Sequence, residues 1–156
     1  MPFYEAGDLL QFLTAKKQVN TTLFLQIFLQ LSKALAIIHS RSLIHRDVKL
    51  QNIFVSDYDG SSIRVCLGDY GCFIDMENTK PEEYHSFGSE TYKPPESNEG
   101  IWSTKSDVWS LGVCMLQLAC PQKALTTETL LNAMEREEIF QTLPKQLPQV
   151  SNVRSI

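Results

Sequence analysis

The stretch LIHRDVKLQNIFV, Leu43 to Val55, constrains the fold more than any other. Its flanks are apolar and read as buried backbone, yet His45, Arg46, Asp47, Lys49, Gln51 and Asn52 stand between them. An unpaired buried charge is costly, so these groups are either solvated in a turn or aimed at something charged. The C-terminal flank continues into a β-hairpin pattern. NIFV (Asn52–Val55) and IRVCLGD (Ile63–Asp69) are the arms, and SDYDGSS between them carries the turn signal Asp59-Gly60. An Asp and an Asn on one arm and Asp69 at the end of the other can bring three oxygen ligands together. That is the donor set a hard divalent cation takes. Lys49 beside them suits negative charge on a phosphate.

Around this hairpin the pattern is helical. Helices are expected over Ala6–Ala15, Thr22–Ser40, Thr104–Ala119 and Thr126–Phe140. The second is apolar on most faces, which places it inside the core. Gln26, Gln30, Ser32 and Lys33 interrupt it, which argues for a buried helix over a membrane span. Asn20, Thr21 or Thr22 is its expected cap, and Ser106 or Thr104 that of the third helix, with Asp107 in its first turn. The fourth is amphipathic and acid-rich. From Gly71 to Gly100 no period is visible, and structureless segments of that length are usually functional or disordered.

Composition narrows the function classes. The 156 residues suit one domain with a sizeable core. A net charge of −4 with no basic stripe excludes a nucleic-acid footprint as the working expectation. Cys66, Cys72, Cys114 and Cys120 form no Cys-x-x-Cys pair, so neither a disulfide framework nor a zinc site is expected, and a reducing compartment is the simpler reading. No basic region followed by an apolar run opens the chain, so no signal peptide is expected.

Taken in order, the polar clusters resemble the eukaryotic protein kinases. His45-Arg46-Asp47-Val48-Lys49-Leu50-Gln51-Asn52 is similar to the catalytic loop, with Val48 where Leu is usual. Asp69-Tyr70-Gly71 resembles the metal-binding Asp-Phe-Gly, and Pro94-Pro95-Glu96 resembles Ala-Pro-Glu. SDVWSLGV, Ser106 to Val113, looks like the family's central buried helix. The catalytic-loop pattern alone fixes five positions, a chance match of about one in three million per start site.

The resemblance implies ATP and Mg²⁺ as cofactors, a protein substrate, cytoplasmic location, and no nucleic acid or membrane partner. It implies that Asp47 orients the acceptor hydroxyl, that Lys49 neutralises the phosphoryl group, and that Asn52 and Asp69 hold the metal. Lys49, two residues after Asp47, is the serine/threonine form of the loop, and Ser89 falls where a hydroxyl helps seat the acceptor. Arg46 implies control by a phosphate on the activation segment, with Thr79 and Ser86 as candidate acceptors. Asp107 would brace the loop from beneath. MPFYEAGDLLQFL looks like the hinge and the helix after it. Pro2 and Tyr4 would offer backbone groups to adenine, Asp8 would contact ribose, and Phe54 would lie under the ring.

The implied fold is mainly α with a small β-hairpin, a kinase-like large lobe truncated at both ends. Residues 1–20 would be the hinge and next helix, 21–40 the buried helix, 41–71 the catalytic loop, hairpin and metal motif, 72–96 the activation segment, and 97–156 an incomplete helical remainder. The family's glycine-rich loop, strand lysine and helix glutamate find no match here. The arginine that Glu96 pairs with in the family would fall past Ile156, and Arg154 stands too early. The isolated chain is therefore expected to be inactive. The alternative is a non-catalytic binding or regulatory module, with a partner supplying or replacing the missing lobe.

Several of these residues also fit plainer roles. His45 suits a core histidine, Asp47 and Asn52 suit turns, and Asp107 suits a helix N-terminus. Cys72 suits a small buried residue better than a reactive thiol, and Glu135 to Glu138 a solvated helix face. Only their order and spacing favour a shared site.

Overall fold

The computed structural model describes residues 7–16, 19–80 and 88–119. Pro2, Tyr4, Ser86, Cys120, Arg154, the expected helix Thr126–Phe140 and its acidic run lie outside the described residues. Those described form helices α1 (Leu9–Lys16), α2 (Thr21–His39) and α3 (Thr104–Ala119), and strands β1 (Leu43–Ile44), β2 (Ile53–Tyr58), β3 (Ile63–Leu67) and β4 (Ile74–Asp75).

Helix α1 starts later than the expected Ala6 because Asp8 caps it. Asp8 Oδ1 accepts from the Gln11 N–H at 2.9 Å, and Gln11 Oε1 accepts from the Asp8 N–H at 3.4 Å. This reciprocal pair satisfies donors that the first turn leaves open.

Asn20 is the cap of α2, its Oδ1 accepting from the Leu23 N–H at 2.9 Å. The helix is not inside the core. It buries one stripe, Leu23, Ile27, Leu31 and Leu35, while Leu25, Phe28, Leu29 and Ile37 are exposed. An all-round apolar helix needs neighbours on every side, and among the described residues β3 and α3 are its main neighbours. By length and composition α2 could cross a membrane, with 22% of that window buried. The polar residues that interrupt it tie it to the sheet instead. Gln26 Oε1 accepts from Ile63 N–H (2.9 Å), Gln30 Oε1 from Val65 N–H (3.0 Å), and Gln30 Nε2 donates to Ile63 O (2.9 Å). The two amides cover backbone groups that an open strand edge would leave unpaired.

Strands β2 and β3 form the expected antiparallel hairpin, with Ile53 opposite Leu67 and a register shift between Val55 and Asp57. Asp59 Oδ1 holds the turn by accepting from the Ser61 and Ser62 N–H groups at 2.9 and 2.7 Å. Asn52 itself lies in a 3₁₀ turn, Leu50–Asn52, ahead of β2 and not in the strand. A second sheet, β1 with β4, crosses the segment where no period was visible; it pairs Leu43 with Asp75 and Ile44 with Ile74. Two residues are too few to display alternation, so this pairing has no sequence signature.

Helix α3 has the expected span, but its cap is Ser103. Ser103 Oγ accepts from the Lys105 N–H at 3.2 Å, and Ser106 Oγ accepts from the Ser103 N–H at 3.1 Å. Its buried residues, among them Asp107, Ser110, Leu111, Cys114 and Leu118, lie against the main cluster that includes Leu9, Ile27, Leu31, Val48 and Ile53. A smaller cluster holds Ile44, Ile74 and Trp102, with Met76 against it. The polar loop runs from one cluster to the other, anchored by Ile44 at its start and by Val48 and Leu50 further on.

Candidate active site

Asp107 fixes the backbone of the loop. The carboxylate is fully buried at the first turn of α3. Its Oδ2 accepts from the His45 N–H and its Oδ1 from the Arg46 N–H, both at 2.9 Å. His39 Nε2, at the end of α2, lies 2.8 Å from the same Oδ2. A carboxylate bonded this way serves two backbone donors that would otherwise be buried without acceptors. It also permits the left-handed backbone of Arg46, φ 66°, which is uncommon for a residue with a Cβ.

His45 is buried and links the two arms of the site. Its Nδ1 accepts from the Asp47 N–H at 3.3 Å, so Nε2 carries the proton and donates to Gly68 O at 3.1 Å. Burial holds its pKa below the ordinary value, against the pull of the Asp107 charge. Gly68 N–H in turn donates to Asn52 O at 2.9 Å. Asp69 follows Gly68 directly, so the turn that carries it is bonded to Asn52 on one side and His45 on the other.

Above this frame the polar side chains converge. Asp47, 7% exposed, receives Lys49 Nζ on Oδ2 at 2.7 Å and Asn52 Nδ2 on the same oxygen at 2.9 Å. Ser89 Oγ donates to Oδ1 over a longer 3.3 Å and accepts from Lys49 Nζ at 3.2 Å. Asn52 Nδ2 also donates to Asp47 O at 2.9 Å, which commits its amide nitrogen and leaves Oδ1 as its remaining acceptor. Asp69 is exposed and left-handed, φ 61°, with a 3.4 Å bond from Gly71 N–H to Oδ1. The Cys72 thiol is buried close to both carboxylates. Burial, then the charges of Asp47 and Asp69, push its pKa up, so it is a protonated, unreactive thiol.

Ser89 reaches the loop because the residue before it is glycine. Gly88 has φ +88°, and a Cβ there would stand 2.6 Å from Arg46 O. Tyr92 OH lies 3.4 Å from Gln51 Oε1; burial pushes that phenol up to about 12, so it remains a donor. Asp8 and Phe54 are brought together by an antiparallel bridge, with Val55 N–H donating to Gly7 O at 3.0 Å. Phe54 lies two residues beyond Asn52 in the chain. Asp8 Oδ1 is used as the α1 cap. Glu96 sits in the 3₁₀ turn Pro95–Glu99, and its carboxylate makes no ion pair among the described residues. Thr79 closes the turn after β4, its N–H donating to Asp75 O at 2.8 Å. Arg46 Nε donates to Cys72 O at 2.6 Å, with the guanidinium over Trp102.

Sequence reasoning missed His39, Gly68, Gly88 and Trp102. None carries a local signal, because each acts on a residue far away in the chain. Among the described residues no group of three or more His, Cys, Asp or Glu could hold a metal. Asn52 Oδ1 and the Asp69 carboxylate are oxygens of the type a small hard cation takes, with one or two from the protein and the rest of its shell from phosphate and water.

The family model described as protein kinase domain matches residues 1–155. The chain is 33% identical over 111 residues to the membrane-associated tyrosine- and threonine-specific cdc2-inhibitory kinase of Drosophila melanogaster, covering 70% of this chain and 20% of that protein. It is 36% identical over 126 residues to the serine/threonine-protein kinase Nek1 of Mus musculus, covering 79% and 10%. It is 28% identical over 157 residues to the serine/threonine-protein kinase PAK 5 of Rattus norvegicus, covering 100% and 21%. The matches thus span between a tenth and about a fifth of these relatives.

Proposed function

The chain belongs to the protein kinase domain family, and from that premise we propose that, within the intact protein, it transfers the γ-phosphoryl group of ATP to serine or threonine hydroxyls of a protein substrate. The observation that carries this reading is the Lys49 ammonium. It bridges the Asp47 carboxylate and the Ser89 hydroxyl, 2.7 and 3.2 Å away. One cation, one carboxylate and an open oxygen are what an in-line phosphoryl transfer asks of a protein, since positioning and charge stabilisation supply most of the catalysis.

Asp47 Oδ2 is committed to Lys49 and Asn52, so Oδ1 is the oxygen that meets the acceptor hydroxyl. The long Ser89 bond to Oδ1 is the one an incoming alcohol displaces. Asp47 orients that alcohol and takes its proton as the alcohol oxygen bonds to the γ-phosphorus and the bond from that phosphorus to the β–γ bridging oxygen breaks, releasing ADP. Lys49 then faces the charge gathering on the transferred group. Asn52 Oδ1 and Asp69 would hold Mg²⁺, which supplies neutralisation of the phosphate charge. Asp8 and Phe54 form the corner proposed for the nucleoside. Lys49, two places after Asp47, favours serine and threonine acceptors over tyrosine. We read the described residues as the family's larger, mainly helical lobe. Free thiols at Cys66, Cys72 and Cys114 support a cytoplasmic location.

The test is the intact protein with radiolabelled ATP, Mg²⁺ and a generic basic protein. Label should appear on serine or threonine, and Asp47→Asn should cut turnover by about 10²- to 10⁴-fold with the fold unchanged. Undiminished turnover in that variant, or label on tyrosine alone, would remove the assignment.

A further inference from the structure

Trp102 precedes α3 and is 6% exposed, packed with Ile44 and Ile74 where β1 meets β4. Strand β1 leads into His45 and Arg46; strand β4 follows Cys72 and Phe73. The indole therefore sits on the short sheet from which both arms of the site depart. Its face holds the Arg46 guanidinium, whose carbon stands 5.7 Å from the ring centroid. That guanidinium donates through Nε to Cys72 O at 2.6 Å. Arg46 adjoins Asp47, and Cys72 closes the turn that begins at Asp69. The side chain thus spans from the residue beside one carboxylate to the turn bearing the other.

Two further observations point to the ring's face as the reason for a tryptophan. Its Nε1–H is buried without a hydrogen-bond partner among the described residues, a cost that an aliphatic side chain of similar bulk would avoid. A guanidinium over an indole is attracted by the ring's electron-rich face, most strongly where water is excluded. A Cβ at Gly88 would also come within 3.8 Å of Trp102 Cη2, so the segment that delivers Ser89 passes the same joint.

We propose that Trp102 is a positioning residue: its indole face presses the Arg46 guanidinium onto the Cys72 carbonyl and so sets the spacing between Asp47 and the turn carrying Asp69. This rests on the phosphoryl-transfer reading for its catalytic consequence, but not for its structural one. Trp102 touches neither substrate nor nucleotide, and it acts through Arg46.

The experiment compares Trp102→Phe, Trp102→Leu and Trp102→Met in the intact protein, with two readouts. Turnover should fall five- to thirtyfold in the Leu and Met variants, with KM for ATP within twofold of the parent, and Phe should restore it to within threefold. Amide exchange over residues 43–50 and 69–76 should quicken at least tenfold in Leu and Met, stay near the parent in Phe, and remain unchanged in α2. Equal turnover in Phe and Leu, or exchange that quickens everywhere alike, would overturn the proposal. If Trp102→Leu does not fold, Trp102→Met decides alone, and parental turnover in it overturns the proposal. Local exchange that responds as described in a parent protein without turnover would reject phosphoryl transfer and leave the joint standing.

Discussion

Asp47 and Asp69 are the two carboxylates of the proposed site, and the protein treats them in opposite ways. Asp47 is buried, with Lys49, Asn52 and Ser89 all bonded to it, and the two residues before it, His45 and Arg46, are held by their backbone N–H groups on Asp107. Asp69 is exposed, and its described contact is one 3.4 Å bond from Gly71. The first is set by the fold before any ligand arrives. The second follows Gly68, whose backbone is bonded to Asn52 and His45, and its carboxylate stands exposed. In the proposed reaction that division suits the roles. A group that meets a neutral hydroxyl gains from fixed geometry, while one that meets a cation gains from open oxygens.

The sharpest way to break the comparison is to remove each charge in turn. Asp47→Asn should abolish most turnover, as set out above. Asp69→Asn should instead raise the Mg²⁺ concentration needed for half-maximal rate, and excess Mg²⁺ should recover part of the activity. Equal responses to Mg²⁺ in the two variants would show that both carboxylates do the same work.

The frame beneath Asp47 gives the next largest effect. Asp107→Ala strands two buried N–H groups and the His39 partner, so unfolding free energy should drop by about 3–5 kcal/mol in denaturant titrations. A loss under about 1 kcal/mol would mean that water or a shifted loop replaces the carboxylate.

Acid should then separate the frame from the surface. His45 is held neutral by burial, so its folded pKa lies below its unfolded value of 6.5. Its contribution is complete above that value. It is lost as pH falls from there towards the depressed folded pKa, at up to about 1.4 kcal/mol per pH unit. His45→Gln should flatten that part of a melting-temperature profile. An unchanged slope would assign the acid sensitivity to other groups.

The smallest effect belongs to Asp69. Its Asn variant tolerates the left-handed backbone and keeps an oxygen to accept the one long bond from Gly71, so stability should change by less than about 0.5 kcal/mol. A larger loss would show that Asp69 is held as firmly as Asp47.

The sequence by itself determined the hairpin, the span of α3 and the identity of the convergent polar residues. Those features are local. A turn dipeptide, a helical period and a spaced motif each show within a short window of chain. The tertiary structure decided what had no such window. It joined His39 and Asp107 to the loop, set Gln26 and Gln30 on the open edge of β3, paired β1 with β4, and laid Arg46 on Trp102. It also turned α2 from an expected core helix into one with a single buried stripe. The physical reason is shared by all of these. Each depends on which surfaces meet across dozens of residues, and neither hydrophobic period nor residue type encodes that meeting until the chain has packed.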